Sequence, residues 1–436
     1  KLGLDLKDYY YESRNCDGQS PCRWIEYNHV QGLDFSEGCP AWANQGYDAY
    51  GAPGKCNLVY YLLGKDLAAA DQGVKNLTKS VNWGDAGVRD VVFRDPLCGR
   101  CDSACKRGLD LEIHNMLEAL RVSVVEKSGP HPNHQEVTGN IENTGNRFGK
   151  PQADRQKWVP ADAKPAAEAT LLYFAGCRAS FTDTGIAKAT ARLINAAGEK
   201  YMVLPEERCC GHFLYVTGQA DKARKQAEAN LAALKKSGAK QIVFSCAEGY
   251  RTVKVDYPKL LGISTRDLPF EVLHITELAA RWLKDGKLKF TKPVNTKVTY
   301  HDPCNLGRLS EPWHKWEGTR EKWGIFQPAR TVRRGVHGVY EQPRDLLKAI
   351  PGLELVEMVR NRDNGFCCCA DAGVKEAYPD FAEWGGKERL REAAHVGAEA
   401  LVSACPACKE NFSAAAGKGG LPVWDITELM ARAIGK

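Results

Sequence analysis

The sequence predicts a mixed fold, α+β as a whole and α/β in its larger part: a helical, cysteine-rich front block followed by a block that contains itself twice. Three observations predict it. Seventeen cysteines recur at short motif spacings. A Pro-, Gly- and Asn-bearing stretch with little apolar periodicity separates two differently patterned regions. From about residue 169, short apolar strands alternate with helical stretches, as in a parallel-sheet domain.

The front block, residues 1–127, holds Cys16, Cys22, Cys39, Cys56, Cys98, Cys101 and Cys105. It closes on an amphipathic run, Leu109 to Val125, whose spacing predicts a helix. Residues 128–168, with Ser128-Gly129-Pro130-His131-Pro132 and Gly145-Asn146-Arg147-Phe148-Gly149-Lys150-Pro151, read as a linker or an extended wrapping segment.

Residues 169–290 and 291–436 are read as two copies of one unit. Cys209-Cys210 is followed, after 35 intervening residues, by Cys246, and Cys368-Cys369 by Cys405 after the same gap. Each copy ends alike, with His274-Ile275-Thr276-Glu277-Leu278 and Asp425-Ile426-Thr427-Glu428-Leu429. In each copy the leading cysteine, Cys177 or Cys304, follows a predicted strand, and so does the trailing one. Open α/β sheets place ligands outside the carboxyl ends of their strands, so distant cysteines converge at one sheet edge.

The cysteines exclude more than they leave open. Their odd number in a long chain argues against a disulfide scaffold, and buried inert thiols do not come in tight motif pairs. Metal or cluster ligation remains, with zinc as the competitor to iron–sulfur because thiolates suit both. A net charge of +6 spread among interspersed charges gives no reason to expect nucleic acid. No apolar run approaches the roughly 18 residues of a membrane span, and the start at Lys1 lacks the apolar core of a secretory leader. The expectation is a cytoplasmic protein, or one held peripherally on the inner face of a membrane by a partner.

The second copy offers Cys304, Cys368, Cys369, Cys405 and Cys408, one thiolate too many for tetrahedral zinc or a simple cubane. A bridging cysteine or a noncubane [4Fe-4S] cluster uses them all. The repeat spacing leaves Cys367 over, as a buried thiol. The first copy keeps Cys177, Cys209, Cys210 and Cys246, but Gly249 stands where a fifth is expected. Four thiolates suffice for a further cubane; the alternative is an empty relic that keeps the fold.

In the front block, Asp95-Pro96-Leu97-Cys98-Gly99-Arg100-Cys101-Asp102-Ser103-Ala104-Cys105 resembles one copy of the bacterial two-cluster ferredoxin motif, with Asp95 at the first cysteine and Lys106 at the proline. Cys16, Cys22 and Cys39-Pro40 resemble a stretched first copy. Two [4Fe-4S] clusters are expected, with Cys56 recruited. Seven cysteines for eight positions leave three readings: Asp95 supplies an oxygen to iron, one cluster has three irons, or Asp95 merely forms the turn before Pro96.

The chain from residue 169 resembles the duplicated cysteine-rich (CCG) domain of the heterodisulfide reductase D-subunit family. Tyr300-His301-Asp302-Pro303-Cys304-Asn305-Leu306-Gly307-Arg308, Gly338-Val339-Tyr340-Glu341-Gln342-Pro343-Arg344, Val356-Glu357-Met358 and Ser245-Cys246-Ala247-Glu248-Gly249-Tyr250-Arg251-Thr252 carry the likeness, as do Arg155 to Pro160. Ala370 departs from it, in place of the glycine expected after the pair, as does an insertion from Leu309 to Gly335 with Trp313, Trp316 and Trp323, a docking surface or a small satellite core. The resemblance implies an oxidoreductase complex subunit passing electrons from the ferredoxin-like clusters to the second copy, where a disulfide is reduced and His301 either donates a proton or makes a structural hydrogen bond. Its other implied role is a relay within an assembly of anaerobic benzoyl-CoA reduction or sulfite reduction. The implied partners are flavoprotein, iron–sulfur or membrane cytochrome subunits. No Gly-x-Gly-x-x-Gly fingerprint follows a strand, so flavin is expected on a partner.

Overall fold

Strands β1 (Leu171–Phe174), β2 (Tyr201–Met202), β3 (Gln241–Phe244) and β4 (Glu271–His274) form one sheet in the order β2-β1-β3-β4. In the second half β5 (Thr296–His301) is followed by a two-stranded ribbon, β6 (Thr319–Arg320) with β7 (Phe326–Gln327), and then by β8 (Leu353–Val356), β9 (Ala400–Ser403) and β10 (Val423–Asp425). The second sheet runs β10-β9-β5-β8. Matching β1 to β5, β2 to β8, β3 to β9 and β4 to β10 superimposes the two orders, and every pairing in both sheets is parallel. The duplication is therefore one of topology as well as of sequence. The computed structural model describes residues 3–25, 30, 32, 34–64, 81–105, 110–321, 324–330 and 332–434; Lys106 and Trp323 lie outside them.

Burial of β1 and β9 along their whole length explains their unbroken apolar runs, since helices cover both faces of a parallel sheet. The two closing motifs share one local cause. His274 and Asp425 are N-caps whose side chains accept from the backbone of Thr276 and Thr427, and Glu277 and Glu428 reach back to complete capping boxes. They start helices Ile275–Lys284 and Ile426–Ala433 directly off the β4 and β10 strand ends.

The regular elements of the front block are helical, with helices Pro40–Gln45, Ala52–Gly64, Ala86–Phe93, Arg100–Cys105 and Ile113–Ser128. The last covers the predicted run only from Ile113 and continues to Ser128; Asp110 to Glu112 precede it, Leu109 lies outside the described residues, and burial on nearly every side replaces the expected amphipathic face. Between it and β1 the chain forms helix Gln135–Thr144, then packs Trp158 edge-on against Tyr173 of β1, with centroids 5.5 Å apart. In the insertion after Cys304, Trp316 packs edge-on against Phe326 at 5.3 Å, and Arg330 lies over both rings. Among the described residues no helix is long and apolar enough to cross a membrane.

Candidate metal centre

Strand ends bring the second copy's thiols together. β5 ends at His301, and the next residue, Asp302, accepts two bonds from Arg344 at 2.7 and 2.9 Å and one from the Arg362 amide at 2.8 Å. That lock fixes the strand end two residues ahead of Cys304. β9 ends at Ser403, and Cys405 caps helix Pro406–Ala416, which carries Cys408 in its first turn. Cys408 Sγ lies 3.3 Å from Cys368 Sγ. Cys367 is near enough to Cys304 and Cys368, and Cys405 to Cys408, for each to shift the other's pKa. These five sulfurs are all buried.

His301 belongs to the same cluster. A ring nitrogen of it, Cys368 Sγ and Cys408 Sγ lie within 4.8 Å of one another. The ring stands edge-on to Phe412 at 4.7 Å. Burial lowers its pKa from the usual value, against the pull of Cys368, which favours the neutral imidazole.

The two copies match in a register that differs by one residue from the register read from spacing. Gly211 has φ +82° and Cys369 has φ +62°, both left-handed. The Gly211 amide donates to Cys209 Sγ at 3.5 Å, and the Cys369 amide to Cys367 Sγ at 3.3 Å. Cys177 bonds Cys209 as Cys304 bonds Cys367. Cys367-Cys368 is thus the counterpart of Cys209-Cys210, and Cys369 stands in the place of a glycine. Its sulfur lies only 2.4 Å from where a Cβ on Gly385 would sit, against helix Pro379–His395.

The first copy repeats the arrangement with one corner missing. Glu207 accepts from the Ala175 and Gly176 amides at 3.0 and 2.9 Å and pairs with Arg155, whose Nη2 is 3.8 Å from Cys177 Sγ. A Cβ on Gly249 would lie 4.0 Å from Cys210 Sγ and 3.1 Å from the Phe244 ring. Cys246 is hydrogen-bonded to Cys405 of the other copy, so the two sites adjoin. Beside them, His212 Nε2 bonds Asp371 at 3.0 Å across the same seam.

In the front block, Cys22, Cys39, Cys98 and Cys101 line one small cavity with Asp95, and Cys16, Cys22, Cys101 and Cys105 line a neighbouring one. Cys56 is hydrogen-bonded to Cys16. Asp95 is an ion-pair partner of the buried Lys55, and its other oxygen accepts from the Leu97 amide at 2.7 Å. Cys98 stands near enough to Cys367 for that thiol to lower its pKa, and its carbonyl accepts from Arg308 Nε at 2.8 Å, which joins this block to the second copy.

The thiols therefore form one continuous succession: Cys98, Cys367, Cys368, Cys408, Cys405, Cys246. Their acidities alternate along it. The Cys367 thiol brings Cys98 down to about 6, and Cys368 and Cys405 also fall because neighbouring thiols donate to them. Cys367, Cys408 and Cys246, the donors, are pushed up. Three of the six sulfurs, Cys98, Cys368 and Cys405, are thereby moved towards the thiolate that metal ligation requires. Five soft donors at one site exceed the four positions of tetrahedral zinc and fit an iron–sulfur group.

Residues 171–254 and 323–413 match the family description "Cysteine-rich domain" (CCG). The D-subunit of the dihydromethanophenazine:CoB–CoM heterodisulfide reductase of Methanosarcina barkeri is 38% identical over 354 residues, 80% of this chain and 79% of that one. The chain belongs to the heterodisulfide reductase D-subunit family. The B-subunit of the fumarate reductase (CoM/CoB) of Methanothermobacter marburgensis is 29% identical over 79% of this chain and 62% of that one. The EtfAB:quinone oxidoreductase of Syntrophomonas wolfei is 28% identical over 84% of this chain and 49% of that one. As a heterodisulfide reductase D-type protein, the chain is an iron–sulfur subunit of the kind that serves multi-subunit oxidoreductases.

The spacing argument leaves Cys367 over, whereas the fold sets it in the place that Cys209 has in the first copy. The signal that finds it is the Cys-Cys-Gly of the first copy: aligning Gly211 with Cys369, rather than equalising the gap to the next cysteine, selects Cys367-Cys368.

Proposed function

We propose that this chain is an electron-transfer subunit in which the front block feeds the second copy's site. Two clusters are held by Cys16, Cys22, Cys39, Cys56, Cys98, Cys101 and Cys105, in a ferredoxin-like arrangement. A noncubane [4Fe-4S] cluster is held by Cys304, Cys367, Cys368, Cys405 and Cys408, and a further cubane by Cys177, Cys209, Cys210 and Cys246. The observation that supports this reading is the nearness of Cys98 to Cys367, with Arg308 of the second copy donating to the Cys98 carbonyl, so that a proposed ligand of each site lies beside the other. When bound, such groups supply one-electron transfer and an iron able to accept sulfur. The chain's own residues exclude water from the thiolates, and Asp302 with Arg344 fixes the strand end that presents Cys304. His301 orients Cys368 as a neutral partner, ahead of any role as proton donor. The electrons come from a partner redox subunit, a flavoprotein, iron–sulfur protein or membrane cytochrome.

Two outputs follow from the relatives' names. In one, a disulfide is reduced at the second copy's site, as the name of the Methanosarcina barkeri protein says of that enzyme. In the other, the chain relays electrons onward within a larger assembly. The second is favoured by the burial of all five sulfurs, none more than 5% exposed.

Iron and acid-labile sulfide counts on anaerobically purified protein test the common core, and a colourless, iron-free, folded chain refutes it. Electron paramagnetic resonance before and after addition of a thiol or disulfide separates the outputs. A thiol-dependent signal supports disulfide reduction, and signals that respond to potential alone support the relay.

A further inference from the structure

Arg308 is a buried cation, 5% exposed, with no carboxylate in ion-pair reach among the described residues. Its guanidinium donates only to backbone carbonyls: Nε to Cys98 at 2.8 Å, and Nη1 to Asp363 at 3.1 Å and to Gly365 at 2.6 Å. Those acceptors lie on two segments, one at Cys98 itself and one just ahead of Cys367, while Arg308 sits four residues beyond Cys304. Three ligand-bearing segments are thus tied by one side chain. Gly99 and Gly335, both left-handed, close over it: a Cβ on Gly335 would come within 2.8 Å of the Arg308 backbone.

A buried unpaired charge is costly, so it must find its opposite elsewhere. What lies around it is sulfur: its Nε donates to the carbonyl of Cys98 itself, the Gly365 carbonyl that it also holds is two residues ahead of Cys367, and its own backbone follows Cys304 by four residues. We propose that Arg308 is the counter-charge shared by the front block's Cys98 and the second copy's Cys304 and Cys367, a positioning residue that raises the potential at which both sites accept an electron. This rests on the iron–sulfur reading above. Reduction adds one negative charge to a site, and a fixed cation at low dielectric stabilises that extra charge.

The test uses the full chain, purified anaerobically, as wild type, Arg308→Lys and Arg308→Gln. Each is assayed for iron and sulfide, then titrated against potential with paramagnetic resonance as the readout. Arg308→Gln is expected to lower the reduced-to-oxidised ratio of two signals about tenfold at fixed potential, a shift of about 59 mV for one electron. Arg308→Lys keeps the charge but loses the fork, and is expected to titrate with the wild type. Wild-type midpoints in an iron-replete Arg308→Gln overturn the proposal. If Arg308→Gln fails to load iron, Arg308→Lys decides. Wild-type potentials there support the shared charge; iron loss or displaced midpoints overturn it and leave only a structural fork. Absence of iron from the wild type refutes the iron–sulfur reading itself, an outcome distinct from all of these.

Discussion

Cys369 holds the backbone of Gly211: φ is +62° at one and +82° at the other, and each amide donates to the sulfur two residues earlier. A non-glycine residue in this region costs about 1–2 kcal/mol. Cys369→Gly relieves that strain while opening a small gap beside Gly385, so stability is expected to stay within about 1 kcal/mol of wild type. Its iron content is expected to be unchanged, whereas Cys367→Ser loses iron. Anaerobic iron counts on the two variants decide, and the reverse pattern would restore Cys368-Cys369 as the pair.

The vacant corner of the first copy is filled by a ring. A Cβ on Gly249 meets Phe244 at 3.1 Å, with Cys210 Sγ 4.0 Å away. Gly249 lies in helix Ala247–Arg251 and needs no left-handed backbone, so a cysteine there is sterically limited by the ring alone. Gly249→Cys by itself is expected to cost about 1–3 kcal/mol through overpacking. Combined with Phe244→Leu it should recover, and its resonance spectrum should differ from that of Phe244→Leu. Identical spectra would mean that the corner is not a ligand position.

Much of this architecture was legible because its causes are local or periodic. Apolar strand runs, capping boxes at His274 and Asp425, and the shared gaps between cysteines announce two copies of one parallel unit. What stayed hidden depends on folding. The contact of Cys98 with Cys367 joins segments more than 260 residues apart, and no spacing encodes it. Counting residues between cysteines chose Cys368-Cys369; one backbone dihedral, invisible in a cysteine triplet, shifts the register. For Asp95 the sequence allows iron ligand, missing ligand or turn former, and the fold adds a partner that no spacing gives: Lys55, forty residues away, shares its carboxylate.

That ion pair yields the third prediction. Lys55 is buried beside Cys39 and Cys101, and Asp95 is its carboxylate partner, held below the usual range by Lys55 despite burial. Removing one member of a buried pair strands the other, at a cost of about 3–5 kcal/mol. Asp95→Asn is expected to lose about that much in anaerobic urea unfolding, and Lys55→Met/Asp95→Asn to regain a large part. A double variant no more stable than Asp95→Asn would show that the carboxylate serves something other than Lys55, iron included.

His134 supplies a pH dependence remote from the thiols. It is fully buried between Phe93 and Phe213, and Nε2–H donates to the Gly373 carbonyl at 2.9 Å. Burial lowers its pKa from 6.5 to about 3. Above pH 6.5 neither folded nor unfolded chain protonates it, so it adds no slope there. Between 6.5 and 3 the unfolded chain takes a proton that the folded one refuses, and stability falls with falling pH by about 1 kcal/mol per unit. His134→Gln can keep the bond to Gly373 without titrating, so its unfolding free energy should fall less steeply than wild type between pH 7 and 5. Equal slopes for the two proteins in anaerobic denaturant titrations would show that His134 is not the source of this acid sensitivity.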